Sequence, residues 1–174
     1  MKSESIERPD SGLQIPQTSL EKNELNEYRH KYLWHGFFTF FLGCIIPLFL
    51  PLYISPRAGL AAHNVAITSG TFFISLGVAL PYIQLSRWSA KVMYWLLLLG
   101  AYFGLAGQYS AAVFGLTKSF IITGKGSPGN AEWMEIGVDI MLKVISSFTL
   151  LACVMILLGL RRVKFDSSST PSQK

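Results

Sequence analysis

Residues 58–86 read AGLAAHNVAITSGTFFISLGVALPYIQLS, a stretch with no Asp, Glu, Lys or Arg and with His63 as its one histidine. An α-helix rises about 1.5 Å per residue and the hydrocarbon core of a bilayer is about 30 Å thick, so about 20 apolar residues cross it. This run is long enough. Outward from it the pattern repeats: residues 36–54 and 92–117 are uncharged, and 144–160 form a shorter run that 140–142 extend backwards across Lys143. Irregular backbone facing lipid would leave its amides unsatisfied, so each run is expected to be helical, with Pro47, Pro51 and Pro81 marking kinks or helix ends. The fold class that follows is all-α, an integral membrane four-helix bundle. With 174 residues, 51% hydrophobic and only 14% charged, the chain is sized for one domain and too apolar for an ordinary small soluble fold.

Orientation is read from Lys and Arg, which concentrate in loops that stay in the cytoplasm. One side of the four spans gathers Arg29, Lys31, Arg87, Lys91, Arg161, Arg162 and Lys164; the other holds Arg57, Lys118 and Lys125 with Glu132 and Glu135. Both termini are therefore expected to be cytoplasmic. About thirty polar residues precede the first apolar run, whereas a signal peptide has its apolar stretch near the start. The net charge of +5 does not point to nucleic acid, because the basic residues sit at helix ends where membrane topology accounts for them. Cys44 and Cys153 read as small apolar side chains in helix packing.

Three segments are expected: 1–33, a polar tail with a short juxtamembrane helix; 34–162, the four-helix domain; and 163–174, a disordered polar tail. Thr18 and Glu21 have capping-box spacing, and Glu27 and Lys31 an i,i+4 ion-pair spacing. Ser55-Pro56-Arg57 breaks the chain between spans one and two and implies a tight hairpin with Arg57 at the outer interface. The longer connection 118–134 contains Gly124, Gly126, Pro128 and Gly129, a composition suited to a loop or a lid.

Polar side chains inside a bilayer are costly and often mark a site. His63 stands first: an imidazole can ligate a metal or haem iron or move a proton, and the plainer reading is an interfacial histidine bonded to backbone or water. Ala66, Ile67 and Gly70 share its helix face and suggest room for a flat ligand. Ser69 and Thr68 are poorer signals, since hydroxyls in membrane helices often bond their own backbone or glue helices together; Ser69 is nevertheless carried as a catalytic candidate. Trp95, Tyr102 and Tyr109 recur every seven residues, a stripe that is more often packing than a cofactor box, although Tyr109 and Gln108 lie deep enough to need polar partners. Asp139 and Lys143 are spaced for a stabilising ion pair. His63, Ser69, Tyr109 and Asp139 all fall in the outer half of the bilayer, where one cavity is expected to collect them. Nucleophile elbows, phosphate-binding glycine loops and Cys/His zinc spacings are missing from the sequence.

Pro56-Arg57-Ala58-Gly59-Leu60-Ala61-Ala62-His63, followed by Ser69-Gly70, resembles the segment between spans one and two of bacterial hydroxylaminobenzene mutases, which carry Pro-Arg-x-Gly-Leu-x-x-His there. Span three, from Tyr94-Trp95-Leu96 through Gly100 to Ala111-Ala112-Val113-Phe114-Gly115, is similar to theirs in aromatic and glycine placement, and the likeness covers residues 36–162. Styrene oxide isomerases look like more distant relatives with the same four-helix plan. The resemblance implies an intramolecular rearrangement of an epoxide or aryl hydroxylamine. It also implies haem b as cofactor, with His63 as axial and metal ligand and the iron acting on the substrate oxygen. Arg57 belongs to the motif and is carried as a catalytic residue. Both families place Asn six residues after that His, where this chain has Ser69, and the tyrosine that positions substrate in the oxide isomerases does not align cleanly. Tyr109 is a substitute chosen on geometry. The expected partners are a small apolar substrate and membrane lipid, with no nucleic acid and with homo-oligomerisation left open. Two other functions compete: a non-catalytic four-helix membrane subunit, and a small membrane oxygenase of polyketides.

Overall fold

The computed structural model describes residues 22–161; the capping-box pair Thr18 and Glu21, the rest of 1–21 and the polar tail 163–174 lie outside them. Four long helices run up and down: α1 (Lys22–Ile45), α2 (Pro56–Ala79), α3 (Arg87–Phe114) and α4 (Glu132–Arg161). Each is long and apolar enough to cross a membrane. The expected juxtamembrane helix and span one are one continuous helix, in which Lys31 and Glu27 form the anticipated ion pair. The prolines act as expected. Pro47 and Pro51 lie in a 3-10 stretch, Ile46–Leu52, that carries span one on after α1 ends, and Pro81 lies in the 3-10 turn Leu80–Tyr82 that closes α2. A proline ring clashes with the carbonyl four residues back, and the tighter helix avoids it. At the other junctions, Ser86 caps α3 by accepting from the Ser89 amide, and Gly115, at φ 68°, ends it in the left-handed conformation that glycine tolerates.

Helix contacts follow the chain: α1 on α2, α2 on α3, α3 on α4. The α1–α2 contact is close because glycines meet there. A methyl group on Gly70 would lie 2.7 Å from the Phe40 amide nitrogen, and one on Gly36 would lie 2.7 Å from the Ile74 side chain. This small-residue packing drives helix association where lipid removes the hydrophobic incentive. It also corrects one expectation: Ala66, Ile67 and Gly70 leave no room for a flat ligand on the α1 side, because α1 itself fills it, with Gly43 against Ala66 and Ile67. The start of α1, the α2–α3 turn and the end of α4 share one end of the bundle, tied by an Arg87–Glu24 ion pair and by a hydrogen bond from the Gln84 amide to the Gly159 carbonyl. Phe37, Phe41, Leu48, Leu150 and Leu157 are exposed on the outside, as a lipid-facing surface requires.

Candidate functional site

His63 sits two turns into α2, half-buried, and its Nδ1 lies 2.8 Å from the backbone carbonyl of Gly43. A carbonyl only accepts, so Nδ1 carries the proton and donates. Nε2 is then the lone-pair nitrogen, and it has no hydrogen-bond partner among the described residues. Glycine at position 43 makes this contact short, since α1 and α2 approach with no side chain between them.

One turn before His63, Gly59 receives the ring of Tyr53; a methyl group on Gly59 would lie 2.5 Å from that ring. Tyr53 is buried, donates from its hydroxyl to the Ile46 carbonyl at 3.1 Å, and meets Tyr109 edge to face with centroids 5.7 Å apart. Tyr53 therefore links the end of span one, the His63 face of α2 and the outer part of α3. The sequence reading missed it, although its signal was present: a tyrosine two residues before the Ser-Pro break. Arg57, the second residue of α2, is exposed at the same end and has no partner among the described residues.

The other candidates do not gather around His63. Ser69 lines a different cavity, between α2, α3 and α4, with Thr68, Phe72, Gly100, Thr149 and Cys153. Asp139 forms the expected ion pair with Lys143 at 2.7 Å and also accepts from the Ser119 hydroxyl at 3.0 Å, so it anchors the outer loop. The single cavity expected to collect His63, Ser69, Tyr109 and Asp139 is not what the structure shows: helix periodicity turns Ser69 toward α3 and α4, while His63 turns toward α1. The aromatic stripe of α3 also divides, with Trp95 and Tyr109 exposed and Tyr102 turned to a partner on α1.

That partner is His35, the main residue the sequence reading overlooked. Its Nδ1 lies 2.9 Å from the Tyr102 hydroxyl and its Nε2 3.0 Å from the Tyr94 hydroxyl, a bridge between α1 and α3. Buried Glu135 was likewise read only as outer-side charge. Its carboxylate accepts from the Thr117 and Lys118 amides at 2.8 and 2.9 Å and ties the 115–131 loop to the start of α4.

Among the described residues no group of three or more His, Cys, Asp or Glu side chains is placed to hold a bare metal ion. The nitrogen of His63 available to a ligand is Nε2, and an Nδ1–H···O=C bond of this kind is the outer-shell contact that orients a ligating imidazole. Residues 28–161 match the family model described as styrene oxide isomerase. The chain belongs to the styrene oxide isomerase family. It is also 28% identical over 127 residues to hydroxylaminobenzene mutase HabA of Ectopseudomonas oleovorans, covering 73% of this chain and 94% of that protein. No solved structure matches.

Proposed function

We propose that this multi-pass membrane protein is an isomerase that rearranges a small aromatic, oxygenated substrate of the epoxide or aryl hydroxylamine class. The names of its family and of its relative support that reading, and the bond from His63 Nδ1 to the Gly43 carbonyl is the structural observation that carries it. By fixing the proton on Nδ1, the carbonyl leaves the Nε2 lone pair available, so His63 would be the residue that holds haem b. Haem held by His63 would supply Lewis-acid chemistry for cleaving a bond to the substrate oxygen. The protein contributes the setting. Spans α1 and α2 hold the imidazole in a low-dielectric environment from which water is excluded. Tyr53, fixed through Ile46, packs on Gly59 one turn before His63 and on the ring of Tyr109, and so braces the end of span one against α2 and α3. Arg57 adds a positive charge at the mouth. The termini face the cytoplasm, lipid covers the outer helix faces, and copies of the chain are free to associate through them.

Such a rearrangement keeps the molecular formula and the overall oxidation level of its one substrate, so it consumes no reductant and no dioxygen. Purified protein incubated anaerobically with phenyloxirane or N-phenylhydroxylamine should yield an isomer of equal mass. A product heavier by one oxygen, or turnover only with dioxygen, would establish an oxygenase instead; no turnover of either compound would favour a non-catalytic subunit.

A further inference from the structure

The loop between α3 and α4 carries an apolar feature that the four spans leave unexplained. Ile121 and Ile122 are 79% and 84% exposed. Leu48 and Leu52 are bared to a similar degree, but they belong to span one and face lipid, whereas the two isoleucines lie outside every span. Exposed large apolar side chains placed side by side mark an interaction surface.

Hydrogen bonds fix the height of this pair. Ser55, the cap of α2, donates its amide to the Ala112 carbonyl at 3.0 Å, so it stands level with the last turn of α3. Its hydroxyl donates to the Thr123 carbonyl at 3.1 Å, which brings the loop back to that same level. The tip therefore lies beside the helix ends instead of rising away from them into water. It is also held there. A methyl group on Gly124 would lie 2.5 Å from the Leu116 carbonyl, Phe120 is buried in one cluster with Tyr53 and Leu116, and Glu135 and Asp139 hold Thr117, Lys118 and Ser119. Trp133, 73% exposed at the start of α4, stands at the same end of the bundle, and indoles collect where headgroups meet hydrocarbon.

We infer that Ile121 and Ile122 insert into the lipid leaflet at this end as a fixed wedge, so that the loop is a membrane anchor and not a lid opening to water. The partner is phospholipid. The bond to Ser55 sets the tip beside exposed Ile54 and Leu52, so its apolar surface continues the lipid-facing one. Lys118 and Lys125, both exposed, flank the pair and complement lipid phosphates, the arrangement by which interfacial segments hold a bilayer.

This insertion does not depend on any chemistry at His63, and its test needs no substrate. Wild-type protein is reconstituted in phosphatidylcholine vesicles that include a phosphatidylcholine with a diazirine on its acyl chain, photolysed, unfolded and digested with trypsin. Cleavage after Lys118 and Lys125 releases residues 119–125 as one peptide, and cleavage after Lys143 and Arg161 releases 144–161. Peptide 119–125 should carry lipid label. Ile121→Ser with Ile122→Ser should lower that labelling at least about threefold, while 144–161, with lipid-facing Leu150 and Leu157, keeps its label and shows that the variant still inserts. A second readout uses a nitrobenzoxadiazole probe on Ile122→Cys or Lys125→Cys, with Cys44 and Cys153 replaced by alanine. Iodide on both sides of the bilayer, an ion that hydrocarbon excludes, should quench the probe at 122 about fivefold less than the probe at 125. A nitroxide high on the lipid acyl chain should quench the probe at 122 more. Equal iodide quenching at both positions, or an unlabelled 119–125 beside a labelled 144–161, overturns the inference. Label that survives the double substitution overturns the role of the isoleucines. A probe at 122 shielded from both iodide and nitroxide also overturns it, since protein and not lipid then covers the tip.

Discussion

His35 and His63 are both half-buried imidazoles within spans, yet their surroundings equip them for different work. His35 has a phenol at each nitrogen, so one nitrogen donates, the other accepts, and neither is left for a ligand. His63 has a carbonyl at one nitrogen and, among the described residues, no partner at the other. A fully satisfied polar residue in a membrane ties helices together, whereas a half-satisfied one costs stability unless a ligand completes it.

The contrast is sharpest if the two residues are removed in turn. His63→Ala takes away the free nitrogen with little packing, and isomerase turnover should fall about 100-fold or more, the scale of losing an electrostatic stabiliser of the reaction. His35→Phe should spare the reaction but cost about 1–2 kcal/mol of stability, since two phenols lose their partner; thermal unfolding in detergent measures this. His35→Gln, which both donates and accepts, should recover most of that loss. If His35→Phe abolishes turnover at a temperature where the fold persists, the division of labour between the histidines is wrong.

Glu135→Ala leaves the Thr117 and Lys118 amides without their carboxylate, and protease cleavage within 115–131 should accelerate about tenfold, the equivalent of one charge-assisted hydrogen bond. An unchanged rate would show that the loop is held by other contacts. The smallest effect is expected at the outer rim. There Arg57→Ala should lower turnover by up to about fivefold, the range of an exposed charge, and Lys125→Ala should do nothing measurable. Equal effects would argue against a site beside the α1–α2 hairpin.

Run length and proline placement made the four helices legible in the sequence, because lipid leaves an apolar stretch of that size one structural option. Local spacing also held: Glu27 with Lys31 and Asp139 with Lys143 pair one helical turn apart. Contacts between distant spans were not legible. His35 meets tyrosines 59 and 67 residues away, and it stands one residue before the uncharged run 36–54, so it did not register as a polar group inside a span. The face of α2 with Ala66, Ile67 and Gly70 read as space for a ligand, yet small residues in a membrane helix equally invite another helix, and α1 occupies that face. Ser69 and His63 seemed companions by depth; rotation about the helix axis separates them. The motif marked His63, but its free nitrogen became visible only with the Gly43 carbonyl in place.

The most direct test of the account is the absorbance spectrum of purified wild-type protein, His63→Ala and His35→Phe after expression with haem available. Wild type and His35→Phe should carry a Soret band in proportion to protein, and His63→Ala should lose it while its four helices still insert. A wild type without the band, or a His63→Ala protein that keeps it, would contradict the proposal that His63 holds haem.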